Sequence, residues 1–437
     1  MTIRVLCFVK VGFIFLGAVL GGCGGGSESD FAGSSQSANT VAVTISGQIT
    51  PQTAILPNAL AVAAGEFLFK DVNLSTSKKM ACASCHTENS GHADKSGTQL
   101  PFGGPLLLTS GMRSSPTVRY LNENTVFKID KNGRPSGGFT WDGRADSRKE
   151  QAGAPFFEHQ EMGLSGSVND PRALTALVRA AAYYPDIQKL YKPTEIDTDA
   201  KLFEKITSLI EIYQRDDKDY NLFDSRYDKS VAQKETLSPA ELRGLALFKD
   251  TNRGNCISCH GSTGEKQLFT NFGYAALAAP RNHLGPKNSD AAFFDLGLCM
   301  RERASQAQKE RDDKGEVDDD GNDEKVRSSR EARYCGMFKT PTLRNIERTA
   351  PYFHNASVPT LEAAVRFHFE RDTQPGKYYR RADGTVDRPY NDMPGQHLDN
   401  IARGKPFNGS YSPTDAEIAD LLAFLKTLND ADQIDLP

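Results

Sequence analysis

Four stretches of the chain place apolar residues at the spacing of a helix, and they fall into two matching sets. Thr198-Asp199-Ala200 opens a run in which Leu202, Phe203, Ile206, Leu209, Ile210 and Tyr213 return on one face. Ser412-Pro413-Thr414-Asp415-Ala416-Glu417 reads as another helix start, with proline at an early position and acids in the first turn. Ile418, Leu421, Leu422, Leu425 and Leu428 then form its apolar stripe. The other two segments are near copies, Gly65-Glu66-Phe67-Leu68-Phe69-Lys70-Asp71 and Gly244-Leu245-Ala246-Leu247-Phe248-Lys249-Asp250, 179 positions apart. Self-similarity over that distance implies a duplicated unit, each copy bounded by a helix near its start and another at its end. The pattern predicts a mostly α chain of two tandem domains joined near residues 226–237. Two stretches break it. Residues 308–333 are crowded with Asp, Glu, Lys and Arg and read as a solvated loop. Residues 378–408, rich in Pro, Gly, Asn and Asp, read as an ordered but irregular excursion.

Composition narrows the class. The 437 residues suffice for two or three domains, and 38% hydrophobic with 25% charged residues suits a soluble globular body. The net charge of -4 argues against nucleic acid as a partner. At the N-terminus, Arg4 and Lys10 flank a short apolar core that runs to Leu20 and ends in Gly21-Gly22-Cys23. This describes a secretory signal, too short for a comfortable membrane span. A cysteine straight after two glycines resembles the lipobox of bacterial lipoproteins, which implies cleavage before Cys23 and lipid on its sulfur. The expected location is the periplasm-facing side of a bacterial membrane, held by the lipid anchor only. The expected layout is a signal peptide over 1–22, a flexible Gly/Ser-rich tether over 23–50, and domains over 51–230 and 231–437.

The eight cysteines then sort. Cys7 leaves with the signal and Cys23 takes the lipid. Cys299 and Cys335 are candidates for a disulfide outside the cytoplasm, closing the charged loop at its base. The remaining four lie in Cys82-Ala83-Ser84-Cys85-His86 and Cys256-Ile257-Ser258-Cys259-His260, 174 positions apart. Covalent haem attachment needs two thiols spaced to meet two vinyl groups, and a histidine next to the second thiol reaches the iron. A bare CxxC also suits a redox dithiol or half a zinc site, but the histidine in both copies and the export signal favour haem. A helix before each motif and another closing each domain is the arrangement of small c-type cytochromes. The expected fold is therefore two tandem cytochrome c-like haem domains with long irregular loops, carrying two covalently bound haem c groups on His86 and His260.

Phe139-Thr140-Trp141-Asp142-Gly143-Arg144-Ala145, Glu161-Met162-Gly163, and Pro341-Thr342-Leu343-Arg344-Asn345 leading to Thr349-Ala350-Pro351-Tyr352-Phe353-His354 do not follow from haem binding. Through these segments the chain resembles the bacterial di-haem cytochrome c peroxidases and the related MauG-type enzymes, from about Ala61 to Leu428. The resemblance implies a peroxide site at the N-terminal haem and electron entry at the C-terminal haem. It places Trp141 between the haems, Gln151 and Glu161 on the peroxide face as amide and carboxylate, and Pro155 in the wall of that pocket. A carboxylate there can take a proton from peroxide and return it to the departing oxygen.

His368 ends Leu361-Glu362-Ala363-Ala364-Val365-Arg366-Phe367-His368, which matches the family segment that supplies the sixth ligand of the C-terminal haem. That position is methionine in many peroxidases and tyrosine in the MauG type, so bis-histidine ligation by His260 and His368 is expected here. Met337 and Met393 are the alternatives. Peroxidases of the better-known type carry a second, blocking histidine downstream of the first motif. The matching residues 100–108 contain none, and His92 stands only six positions past His86. An open iron that needs no reductive activation is therefore expected, with His159 a loop residue near the pocket mouth. The resemblance also implies a calcium ion held by the carbonyls of Thr349 and Pro351. Its third donor, an asparagine in the family, falls on Ser114 and is weaker as a serine hydroxyl.

Three functions compete. The first is peroxide reduction with a small electron-donor protein, such as a cytochrome c or copper protein. The second is MauG-like oxidation of a side chain on a partner protein substrate, toward which the missing blocking histidine leans. The third is an electron-transfer lipoprotein without catalysis, which predicts two six-coordinate haems and no response to peroxide. The peroxidase relatives imply a homodimer.

Overall fold

In a computed structural model, residues 57–94, 100–261, 266–288, 290–300 and 332–431 are described. The expected signal peptide, Cys23, the tether and residues 308–331 of the charged loop lie outside them.

Twelve α-helices occur among the described residues. The first half holds α1 (Pro57–Lys70), α2 (Cys82–Cys85), α3 (Arg148–Gly153), α4 (Arg172–Ala180), α5 (Tyr184–Leu190) and α6 (Asp199–Asp216). The second holds α7 (Arg226–Val231), α8 (Pro239–Lys249), α9 (Ile257–His260), α10 (Leu361–Glu370), α11 (Pro375–Tyr378) and α12 (Asp415–Lys426). Among the described residues the strands are three antiparallel two-residue pairings. One of them, Tyr274–Ala275 with Phe338–Lys339, lies beside both cavities described below. No helix among the described residues is long and apolar enough to cross a membrane.

The duplication seen in the sequence becomes two helix crossings. α1 packs on α6, and α8 packs on α12. The glycine shared by the two copies marks each crossing. A Cβ on Gly65 would stand 2.1 Å from the Leu209 carbonyl oxygen, and one on Gly244 would stand 2.0 Å from that of Asp420. Only a residue without a side chain lets the backbones approach this closely. Around the crossings lie two separate cores. Leu68, Phe69, Leu202, Ile206 and Leu209 belong to the first, and Leu247, Phe248, Leu421, Phe424 and Leu425 to the second.

The helix starts follow their capping chemistry. Thr198 caps α6 by accepting the amide of Lys201. Thr414 caps α12, and Glu417 reaches back to it in a capping box. Pro413 therefore precedes the cap, where the sequence pattern had put proline inside the helix. The expected linker is likewise more ordered than its polar composition suggests. Residues 226–231 are helical, and Tyr227 packs against Phe269 and Phe424 of the second core. Cys299 and Cys335 are bonded as a disulfide.

Candidate functional site

Each Cys-x-x-Cys-His segment makes one tight turn whose thiols and imidazole face a single cavity. Cys82, Cys85 and His86 line one, and Cys256, Cys259 and His260 line another. The four thiols are not bonded to one another. Burial pushes the Cys82, Cys85 and Cys256 thiols up to about 12, so they are held in the neutral form. The histidines are oriented alike. His86 Nδ1 lies 3.1 Å from the His92 carbonyl oxygen, and His260 Nδ1 lies 3.1 Å from that of Phe269. A carbonyl accepts only from an N–H, so Nδ1 carries the proton and Nε2 keeps its lone pair for a metal. Paired neutral thiols, a pre-aimed imidazole and a cavity with apolar walls are the donor set and space that a covalently attached haem requires.

The cavities differ in the other polar residues that line them. In the first, α3 contributes Gln151, the following turn contributes Pro155, and the next turn contributes Glu161, with Arg144 alongside. Burial raises the Glu161 carboxyl to about 7, against the opposing charge of Arg144. Two glycines of the Phe102–Ser110 hairpin fix the turn that carries it. The Gly104 amide donates to the Glu161 carbonyl at 2.8 Å, and a Cβ on Gly103 would stand 2.1 Å from the Gln160 carbonyl oxygen. Among the described residues His86 is the one histidine lining this cavity. His92 is turned away: it is buried, its Nδ1 accepts from Arg119 Nε at 2.9 Å, and its ring lies 4.4 Å from that of Tyr220. His159 is exposed.

The second cavity is lined by a second histidine, His368, from the last turn of α10. Its Nδ1 lies 2.7 Å from the Ala364 carbonyl oxygen, one helical turn back, which leaves Nε2 free as on the other two histidines. Burial, with the nearby His368 charge adding to it, holds the His260 imidazole down to about 4, and both rings line the same cavity. Phe407 and Phe353 flank the His368 ring. Of the two alternative methionines, Met393 lines the cavity, while Met337 is not among its lining residues.

Trp141 lines both cavities. Its indole N–H donates to the Ser114 carbonyl at 2.8 Å, and its own carbonyl accepts the Lys339 amide at 2.8 Å. The neighbouring motif residues hold this posture. Asp142 takes Arg113 at 2.8 Å and Thr140 Oγ1 at 2.7 Å, and despite burial Arg113 and Arg144 keep its carboxyl far below the usual range. Gly143 has φ +63, and a Cβ there would collide with the Tyr274 hydroxyl.

A family model for di-haem cytochrome c peroxidase matches residues 59–236, and one for a RoxA-like, cytochrome c-like family matches 337–368. The chain is 29% identical over 382 residues to the methylamine utilization protein MauG of Paracoccus denitrificans, covering 84% of this chain and 88% of that one. It is 26% identical to the cytochrome c551 peroxidase of Nitrosomonas europaea, covering 72% and 75%. The crystal structure of the diheme peroxidase BthA from Burkholderia thailandensis superposes with a TM-score of 0.71 at 30% identity, over 85% of this chain and 86% of that one. The chain belongs to the di-haem cytochrome c peroxidase and MauG family.

Of the residues expected around calcium, Ser114 bonds the chain a few positions beyond the other two. The Ser114 amide donates to the His354 carbonyl at 2.8 Å, and the Ser114 hydroxyl donates to the Phe353 carbonyl at 3.0 Å, just past Thr349 and Pro351. The three expected donors are uncharged, and no group of three or more His, Cys, Asp or Glu side chains suited to a metal occurs among the described residues.

The motif reading passed over several residues that build the site. The Arg119 guanidinium that holds His92 also bonds Asp430 at 2.8 Å, and Asn345 of the quoted motif bonds the same carboxylate at 2.6 Å. Arg344, the residue before it, pairs with both oxygens of Asp228 at 2.7 Å. Lys339, two positions before the Pro341 motif, lines both cavities. Local spacing gives no sign of these partners, because each contact joins residues far apart in the chain.

Proposed function

We propose that this protein reduces hydrogen peroxide at a haem held by Cys82, Cys85 and His86. Electrons, or the oxidising equivalents, are shared through Trp141 with a second haem held by Cys256, Cys259 and His260. The observation that carries this reading is the contrast between the two linings, a half-buried amide and carboxylate in one cavity and a second imidazole with a free Nε2 in the other. The haem, when bound, supplies the redox chemistry that accepts peroxide. The rest is work for the chain. Glu161 takes a proton from the incoming peroxide and delivers it to the departing oxygen, for which a carboxyl near pH 7 is well matched. Gln151 orients the bound oxygen, Pro155 shapes the wall, and His368 occupies the face of the second cavity so that peroxide is excluded there. Two electrons and two protons per peroxide yield two waters, the electrons arriving from a small cytochrome c or copper protein in the periplasm.

The same site supports a MauG-like variant in which a side chain of a partner protein is oxidised instead. The absence of a histidine other than His86 from the first cavity, among the described residues, favours it. Other parts of the reading are a lipid on Cys23, a calcium ion held by Ser114, Thr349 and Pro351, and a homodimer.

The test is rapid mixing of the purified, fully ferric protein with one equivalent of peroxide, followed optically. An immediate change without prior reduction supports an accessible first haem and the MauG-like variant. A change only after half-reduction points to a plain peroxidase with a concealed blocking group. No reaction in either state leaves a non-catalytic electron carrier and overturns the proposal.

A further inference from the structure

A lysine stands where the two cavities meet. Lys339 lines both, on the strand pairing Tyr274–Ala275 with Phe338–Lys339, and its backbone amide is bonded to the Trp141 carbonyl at 2.8 Å. Its ammonium has three N–H donors. One is used, on the Gly138 carbonyl at 2.8 Å, and the Phe139 ring lies 5.8 Å away. The nearest carboxylate, Asp142, acts on it only through space, and that carboxylate is already occupied by Arg113, Arg144 and Thr140. A charge removed from water is costly unless its donors are met. Burial indeed holds the Lys339 ammonium down to about 7, with Asp142 offsetting this only in part, as befits a cation short of an acceptor.

We infer that Lys339 is a shared carboxylate-binding residue, placed to hold a propionate of the haem in each cavity and so to act on both irons with one charge. The inference rests on the reading that both Cys-x-x-Cys-His motifs carry haem. Haem presents two carboxylates at one edge, and a propionate from either side can complete the set of acceptors that the protein leaves unfilled. Its place beside Trp141, in the wall of both cavities, puts this cation within reach of both redox centres. A positive charge stabilises the reduced form of a haem over the oxidised form, so one lysine raises both potentials together. A lysine serving a single pocket would move only one.

The experiment uses the full-length protein with both haems attached, comparing Lys339→Met, Lys339→Gln and Lys339→Arg with the unaltered chain. Haem content by pyridine haemochrome comes first. Two haems per chain in all proteins leaves the cofactor reading intact, and fewer in the unaltered protein sinks that reading, independently of Lys339. Thioether attachment should keep the haems in place in every variant. Spectroelectrochemical titration then resolves the two midpoints. In the Met and Gln variants both reduction constants should fall by about tenfold, as expected for losing one charge at close range, while Arg restores both. Circular dichroism serves as the folding control, and should Met fail to fold, Gln carries the test. A shift of one midpoint alone, or of neither, in a folded two-haem variant overturns the proposal.

Discussion

The two cavities present their proximal histidines in the same way and differ in what faces them. Each proximal histidine grows from a one-turn helix and donates Nδ1–H to a carbonyl six to nine positions onward. Gln151 and Glu161 also line the first cavity, and His368, with Phe353 and Phe407 beside it, lines the second. Duplication thus preserved the means of attachment, while the segments between the paired helices were free to diverge. Function follows from the face that diverged.

The largest effect should come from erasing the difference directly. His368→Ala removes the second imidazole, and the ferric spectrum of the C-terminal haem should change from low-spin to high-spin by electron paramagnetic resonance. An unchanged low-spin signal would hand the ligand role to Met393. Next is Glu161→Gln, which should slow the peroxide reaction by about 10²–10⁴-fold while leaving the C-terminal haem spectrum alone. Because burial raises this carboxyl to about 7, its base form is scarce below that pH and dominant above it. The wild-type rate should rise through that pH and the variant should be flat, measured as stopped-flow rate against pH.

Two weaker perturbations probe the part of the comparison that is symmetric. Gly65→Ala and Gly244→Ala each drive a methyl into a carbonyl of the crossing helix, and each should cost on the order of 1–3 kcal/mol in denaturant unfolding. Loss at one crossing only would mean that the halves are not equivalent in packing. Smallest are the helix caps. Thr198→Ala and Thr414→Ala should each cost about 1 kcal/mol. Thr414 should cost the more, since it also anchors Glu417 in a capping box.

Periodicity and motif spacing carried much of this. The α6 and α12 stripes, the repeated Gly-x-x-x-Phe-Lys-Asp and the two haem motifs are local signals, written within a turn or two of chain. His368 and Glu161 were reached only through the family resemblance, since a lone histidine in an apolar helix and a lone acid in a turn carry no local signature. Lys339, Arg119 and Asp430 were missed altogether. Their meaning comes from partners on other segments, as when Gly143 proves to be required by a tyrosine hydroxyl that arrives from Tyr274. The structured helix at 226–231 was hidden for the same reason, its polar composition concealing Tyr227, which packs on Phe424.

Asp430 gives the chain an order of assembly. Its carboxylate holds Arg119 from 311 positions upstream, and Arg119 steadies the ring of His92, the residue on whose carbonyl His86 leans. The early half of the polypeptide therefore emerges during synthesis and export without the final brace of its own haem-binding loop. Until the last helix docks, His86 can be joined to its cofactor but is not yet held in its final attitude. Ending the chain just before Asp430 would be felt first some three hundred positions upstream in sequence, as a loosened N-terminal haem in a protein whose C-terminal haem is still well seated.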